Sequence, residues 1–302
     1  MTAKPSSPAP RDGIPEAEAR PDSLRSPVFA RLFRAPPAQP GQTYGVPGQG
    51  NTLALSVLAV ACALIAWHVV TATGVVKPLF LPSPLAVWEK FLQILTQGYT
   101  NTSLWQHVVI SAGRVFGAFA LACVIGIPLG LAMGMNPTMR GIFDPFLEFY
   151  RPIPPLAYLP LMIIWFGIGE SSKVMLIFLS VLAPVTLGAR SGVRSAAIEQ
   201  IHAAYSLGAS RSQVLREVIL PSALPEILTA MRIGVGFGWT TLVAAEMVAA
   251  TSGLGYMVLS ASQFLQTSTV IVGIVLIALI AWVFDMAMRW MERRFVPWKG
   301  RM

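Results

Sequence analysis

The chain has 302 residues, of which 54% are hydrophobic and only 12% are charged, and its mean hydropathy is +0.62. Soluble domains carry about 25% charged residues, so this composition excludes an ordinary soluble protein and predicts an integral membrane protein. The net charge of +8 does not indicate nucleic-acid binding, because no basic face with interleaved aromatic residues is visible, and basic residues concentrate in the cytoplasmic loops of membrane proteins.

The first 50 residues differ in composition from the rest of the chain. They contain ten of the 24 prolines, together with Ser, Gly and charges of both signs. Such a segment cannot bury enough apolar surface to form a core. We therefore expect residues 1–50 to be a disordered, Pro-rich cytoplasmic tail and residues 51–302 to form the transmembrane domain. No signal peptide is expected, because the first long apolar run begins only at Leu53.

The apolar segments that follow predict an all-α, polytopic membrane protein with six transmembrane helices. A hydrocarbon core of about 30 Å needs roughly 20 apolar residues per helix. The predicted spans are residues 53–73, 108–135, 155–168, 174–189, 227–250 and 269–288, with a short amphipathic helix at 84–95 between the first two. The third span is short and starts in RPIPPLAYLP, so an irregular start that neighbouring helices support is expected.

The distribution of Lys and Arg predicts the orientation of these spans. If the N-terminal tail lies inside, only Lys77, Lys90 and Lys173 fall in outside segments, and Arg114 lies near the start of the second span. The other basic residues then face the cytoplasm, in agreement with the positive-inside rule. Both termini are therefore predicted to be cytoplasmic.

Regularly spaced glycines indicate where spans pack closely, because small side chains four residues apart let helix backbones approach in lipid. The positions are Gly113, Gly117, Gly126, Gly130, Gly134, Gly234 and Gly238. Ordinary bundle packing and a surface that slides between two conformations are both open interpretations. Pro128 and Pro184 could bend their spans, and Asp285 and Arg289 have the i, i+4 spacing of a structural ion pair.

The segment 202–226 is polar although it lies between two apolar spans. A short helix with one apolar stripe is predicted to overlap its start, from Ile198, Ile201 and Tyr205, with Leu207 as a further candidate. Gly208 suits the left-handed C′ position that ends such a helix.

A second short helix is predicted after this glycine. Ser210 and Gln213 fit a capping box, Pro221 is expected to stop the helix, and Pro225 stands where the fifth span begins. Such a helix–turn–helix element is either a pair of helices lying on the bilayer or a knob that docks onto a soluble partner.

This spacing resembles the EAA loop of permeases in ATP-binding cassette (ABC) importers, which reads Glu-Ala-Ala, three residues, Gly, nine residues, Ile, one residue and Leu-Pro. The matching positions, with the adjacent Ala209, are His202, Ala203, Ala204, Gly208, Val218, Leu220 and Pro221. His202 stands in place of the acidic residue, which puts a salt bridge to the ATPase in question, and Val218 replaces Ile. Two further segments are similar to the nitrate/sulfonate/taurine branch of these permeases: FLEFYRPIPPLAYLPLMIIWFGIGE and GWTTLVAAEMVAATSGLGYMV.

The resemblance covers roughly residues 50–300 and implies a fold, a function and partners. The chain would be an ABC type I importer transmembrane domain in a bacterial inner membrane, with a core at about 107–289 and a cytoplasmic coupling loop at about 198–221. Two copies would line one pathway for taurine or a related sulfonate; alkanesulfonates, nitrate or another small anion are alternatives. A cytoplasmic ATPase dimer would supply energy, and a periplasmic binding protein would deliver substrate.

No cofactor, metal or nucleotide site is predicted, and the chain itself would not be an enzyme. GxxxxGK[ST] is absent, and Cys62 and Cys123 fall within apolar segments without ligand spacing. An ion-coupled secondary transporter would need more intramembrane acids and often has inverted repeats. A membrane-embedded enzyme would need paired carboxylates, HExxH or a nucleophile elbow, none of which is seen.

Ionisable residues inside spans are candidate pathway residues, because they are costly there. Arg114 and Glu246 could meet the sulfonate and ammonium ends of taurine; the alternative is an ion pair within the protein or contact with the interface. Trp239 is a further candidate, with packing or the interfacial aromatic belt as its alternative.

Overall fold

The computed structural model describes residues 52–296, in which the regular elements are helices. They are α1 (Thr52–Ala72), α2 (Pro84–Gln97), α3 (Leu104–Met135), α4 (Pro137–Tyr150), a 3₁₀ turn (Pro155–Tyr158), α5 (Leu159–Phe166), α6 (Glu170–Val193), α7 (Ile198–Ser206), α8 (Arg211–Ala249), α9 (Leu254–Gln263) and α10 (Thr267–Phe295). The predicted tail, residues 1–50, lies outside the described residues. The chain divides into two compact units, Met1–Ala66 and Trp67–Met302, and the packing below is that of the second.

Five of the described helices, α1, α3, α6, α8 and α10, are long and apolar enough to cross a membrane, which confirms the all-helical, polytopic fold. The predicted third span is a shorter apolar segment, Pro155–Phe166, which reaches about 18 Å at 1.5 Å per residue. Prolines at 152, 154 and 155 interrupt the helix before it. The predicted amphipathic helix is present as α2, capped by Ser83.

α3, α6 and α8 form the centre of the second unit. Their buried side chains meet in one apolar cluster, which consists of Val115, Ala118, Ala122, Ile177, Phe178, Val181, Val185, Val235, Trp239 and Leu242. Small and β-branched side chains dominate this cluster, so the three backbones lie close together. A smaller cluster joins α2, the start of α3, α9 and α10.

Glycines of α3 lie where this helix meets α6 most closely. An added Cβ at Gly130 would lie 2.7 Å from the Ala189 Cβ and would also meet the Thr186 carbonyl oxygen, and Gly126 and Gly134 face α6 in the same way. Backbone and Cβ atoms cannot rotate away, so this contact requires glycine. The predicted close packing of the second span is thereby located on one face of α3.

The other predicted glycine contacts divide into two groups. Gly234 and Gly238 of α8 face Val181 of α6, with an added Cβ 3.2 Å from its methyl groups. Gly113 and Gly117, by contrast, have no atom within 4 Å of an added Cβ, so among the described residues no neighbouring helix would hinder a side chain there.

α8 is one continuous helix, so the prediction that Pro221 ends a helix is wrong. Val214–Ile219 is a π-helical segment, in which the Leu220 N–H donates to the Leu215 carbonyl five residues earlier. The wider turn accommodates the proline ring, which would clash with the carbonyl four residues back in a regular α-helix. The short segment that follows Gly208 is therefore directly continuous with a membrane-spanning helix.

We expect Gly130→Ala to destabilise the protein, because the added methyl group forces α3 and α6 apart. Overpacking of this kind costs about 1–3 kcal/mol. Thermal unfolding of the purified protein in detergent measures the effect, with Gly117→Ala, on the open part of the same helix, as the control. Equal melting temperatures for the two variants would show that the α3–α6 contact does not limit stability.

Candidate functional site

The turn after α7 is closed by two backbone hydrogen bonds. The Gly208 N–H donates to the Tyr205 carbonyl and the Ala209 N–H donates to the Ala204 carbonyl, both at 3.0 Å. This pair of bonds is a Schellman motif. Gly208 has φ +86°, and no atom lies within 4 Å of an added Cβ. Glycine is therefore favoured by the backbone conformation and not by a lack of space, as the sequence predicted.

The predicted capping box is present two residues later. The Ser210 N–H donates to Gln213 Oε1 at 2.8 Å, and the Gln213 N–H donates to Ser210 Oγ at 3.4 Å. These bonds satisfy amides at the start of α8 that have no partner within the helix. The turn between α7 and α8 is thus held on both sides.

This helix–turn–helix element, residues 198–221, has a small core of its own. Val214 and Ile219 of α8 are buried with Val193 at the end of α6, and Ile201 and Ala204 of α7 pack against them. Leu131 of α3 also contacts this cluster. The element is therefore held against the ends of α3 and α6 by side-chain packing and not only by its covalent connections.

The opposite face of α7 is exposed. Leu207, at the tip of the turn, is 88% exposed, Tyr205 is 46% exposed and Ile198 is 62% exposed, and His202 beside them is also exposed. The predicted apolar stripe is therefore divided, because α7 packs through Ile201 and the small Ala204, which lies closer to its neighbours. The remaining apolar side chains form a surface without a partner in the described part of the chain.

A cluster of ion pairs lies at the other end of α6 and α8, in which Arg114, Lys173 and Glu246 are buried and Glu170 is exposed. Arg114 of α3 donates to both carboxylate oxygens of Glu170, from Nε and Nη2 at 2.6 Å each, and its Nη1 donates to Glu246 at 2.7 Å and to the Ser252 carbonyl at 2.8 Å. Lys173 Nζ also donates to Glu170, at 2.8 Å. Two cations and two carboxylates thus balance each other.

Glu246 is fully buried and accepts three hydrogen bonds. Its Oε1 accepts hydrogen bonds from Ser111 Oγ and Arg114 at 2.7 Å, and its Oε2 accepts one from the Gly255 N–H at 2.8 Å. The His107 side chain, also buried, bonds the backbone of Gly253 in the same connection. The cluster therefore fastens the connection between α8 and α9 to α3.

Sequence reasoning selected Arg114 and Glu246 but missed their partners Ser111 and Glu170, and it also missed Lys173, which pairs with Glu170. Glu170 and Lys173 stand at i, i+3 spacing at the start of a helix, which was the available signal. That spacing does not reveal a partner 56 residues away in the sequence. Arg114 and Glu246 pair within the protein, and contact with a substrate stays a prediction for both.

Trp239 lies against a cavity between α8 and α10. Its side chain is buried, and its indole Nε1 has no hydrogen-bond partner among residues 52–296. The cavity has a volume of about 650 Å³, and Thr240 and Asp285 also line it. Asp285 accepts from Arg289 Nε at 2.7 Å, which confirms the predicted structural pair. A pathway role for Trp239 stays a prediction.

We expect Glu246→Gln to lower the free energy of unfolding by about 3–5 kcal/mol, because the substitution leaves the buried Arg114 charge only partly compensated. Thermal or denaturant unfolding in detergent measures this change. Glu89→Gln, at an exposed position of α2, is the matched control and should change stability by less than about 0.5 kcal/mol. A loss of the same small size in both variants would contradict the structural role of the cluster.

Residues 126–297 match the family described as the inner membrane component of binding-protein-dependent transport systems. The chain is 54% identical to the taurine transport system permease protein TauC of Escherichia coli, over 82% of this chain and 90% of that protein. It is 35% identical to the putative aliphatic sulfonates transport permease protein SsuC of the same organism, over 77% of this chain and 87% of that protein.

A solved structure has a similar fold. The inward-facing MetNI methionine ABC transporter matches with a TM-score of 0.56 at 19% identity, over 64% of this chain and 95% of that chain. The relatives are permease subunits rather than enzymes, so ATP hydrolysis belongs to a partner ATPase, and the family also implies a substrate-binding protein as partner. The chain therefore belongs to the inner membrane components of binding-protein-dependent transport systems, as a multi-pass ABC transporter permease.

Proposed function

We propose that this chain is the transmembrane subunit of an importer for taurine or a related small sulfonate, and that two copies line one pathway. The observation that carries the substrate assignment is the 54% identity to a taurine permease over 90% of that protein's length. The lower identity to aliphatic sulfonate permeases, 34–35%, makes alkanesulfonates the second candidate.

The exposed tip of residues 198–221 is the surface that would bind the ATPase. Leu207 and Tyr205 present apolar surface to water there, which is typical of a surface that a partner covers. The coupling residues proposed on this element are His202, Ala203, Ala204, Gly208, Ala209, Val218, Leu220 and Pro221. Those that lie inward, such as Ala204 and Val218, belong to the small core of the element and would keep it rigid.

Two connections would transmit a movement of this tip to the membrane-spanning helices. The small core joins the element to the ends of α3 and α6, and α8 continues from it without a break. Closure of two ATPase subunits would therefore move three spans together and favour one of two arrangements of the pathway. The permease performs no chemistry in this scheme.

We propose that the coupling end of the molecule and both termini face the cytoplasm. Arg190, Arg194, Arg211 and Arg216 all lie at that end, on or beside the helix–turn–helix element, as the positive-inside rule requires. The ion-pair cluster of Arg114 and Glu246 would then lie toward the periplasm, where a binding protein delivers substrate.

We expect Gly208→Val to leave the protein in the membrane but to lower uptake about tenfold. A left-handed conformation costs about 1–2 kcal/mol for a residue with a Cβ, and more for a β-branched one, so the turn would open. Uptake and substrate-stimulated ATP hydrolysis in proteoliposomes measure coupling. Gly208→Asn is the control, because asparagine tolerates this conformation. Normal coupling in the valine variant would refute the proposal that this turn transmits ATPase closure to the spans.

For the substrate, we expect the complex of permease, ATPase and binding protein to import taurine. Uptake of labelled taurine into proteoliposomes that contain this complex, with pentanesulfonate and nitrate as competitors, measures the substrate preference. Stronger inhibition by pentanesulfonate than by unlabelled taurine would assign the chain to alkanesulfonates instead. Calorimetric titration of the binding protein alone shows whether the preference arises there.

A further inference from the structure

A break in the helical backbone opens a cavity within the second unit. α4 ends at Tyr150, and the chain is not α-helical again until α5. Beside this break lies a cavity of about 580 Å³, lined by the break, by α6 from Leu179 to Gly188 and by α8 from Glu226 to Phe237. Irregular backbone in a membrane protein is tolerated where it lines such a cavity, and the volume is in the range of small-molecule sites.

Two side chains of opposite charge line this cavity, and neither has a strong partner. The Glu226 carboxylate is exposed and makes no ion pair or hydrogen bond with any residue between 52 and 296. It stands one residue before the predicted fifth span, residues 227–250. Arg151 contacts Glu148 at 3.7 Å, with both side chains at least half exposed, and such a pair contributes little.

The remainder of the lining is apolar and aromatic. Tyr150, Tyr158 and Phe237 contribute rings, and Ala183 and Gly188 leave room between them. The Tyr150 hydroxyl is already engaged, because it donates to the Leu179 carbonyl at 3.3 Å. Arg151 and Glu226 are therefore the charged groups that this lining offers to a ligand.

The charged side chains of the ion-pair cluster differ from Arg151 and Glu226 because they already have close partners in the protein. Arg114 and Glu246 each have protein partners at 2.6–2.8 Å, so a ligand would have to break existing bonds. Arg151 and Glu226 would gain partners when a ligand enters. A ligand with one cationic and one anionic group, and a short apolar linker, complements this cavity.

We propose that this cavity is a binding site for a small zwitterion with an ammonium and a sulfonate group, in which Glu226 contacts the ammonium and Arg151 contacts the sulfonate. The guanidinium of Arg151 can donate two parallel hydrogen bonds to two sulfonate oxygens, and charge-assisted hydrogen bonds of this type are the stronger class. The proposal rests on the sulfonate importer function and adds the place where the substrate lies in the permease.

Titration of taurine into the permease–ATPase complex in nanodiscs, without the binding protein, tests this site. We expect Glu226→Gln and Arg151→Gln each to weaken taurine binding about tenfold, because each removes one charge-assisted contact. Glu226→Asp should restore part of the affinity. Ethanesulfonate, which lacks the ammonium, should bind the unaltered complex about tenfold more weakly than taurine, and Glu226→Gln should abolish that difference.

Matched controls are Glu89→Gln and Arg140→Gln, which remove the same charges at exposed positions outside the cavity and should bind taurine as the unaltered complex does. Equal taurine affinity in the Glu226, Arg151 and control variants would overturn the proposal, as would the absence of measurable taurine binding to the unaltered complex. Failure of the importer function is a separate result, since it appears as absent taurine uptake by the complete, unaltered system.

Discussion

The close contact of α3, α6 and α8 is the constraint on which the rest of the second unit depends. Helices that already lie in lipid gain no hydrophobic free energy when they pack together, because lipid tails are as apolar as their side chains. Their association therefore relies on packing and on polar contacts. Gly130 meets this requirement where backbone and Cβ atoms of α6 leave no space for a side chain. The candidate coupling surface, the ion-pair cluster and the cavity with Glu226 all include residues of these helices.

The two ends of this helix group are held by different interactions. At one end, Arg114 forms ion pairs with Glu246 and Glu170, and both Arg114 and Glu246 form hydrogen bonds with backbone groups of the α8–α9 connection. At the other, Val193, Val214 and Ile219 form an apolar cluster under the helix–turn–helix element. A charged network is geometrically demanding, because a displaced partner leaves an uncompensated buried charge, whereas an apolar cluster tolerates small shifts. This difference would suit the proposed movement of the end that is proposed to bind the ATPase.

Continuity of α8 links the proposed coupling surface to the cavity that contains Glu226. The π-helical segment lets the chain pass Pro221 without a break, so the start of α8, beside the Gly208 turn, and the α8 side of the cavity belong to one continuous helix. A displacement at the tip would therefore change the cavity directly. π-Helical segments are often found at functional sites, and here the segment stands between the proposed ATPase surface and the proposed substrate site.

Local patterns in the sequence were sufficient for the membrane class, the long spans, the left-handed Gly208 turn and the capping box of Ser210, because each depends on a few neighbouring residues. Pro221 misled the sequence reasoning, since its effect depends on the width of the turn before it. The partners of Arg114 and the faces of Gly113 and Gly130 depend on how helices distant in sequence are placed. Only the tertiary structure could decide them, because burial and charge pairing are properties of assembled helices.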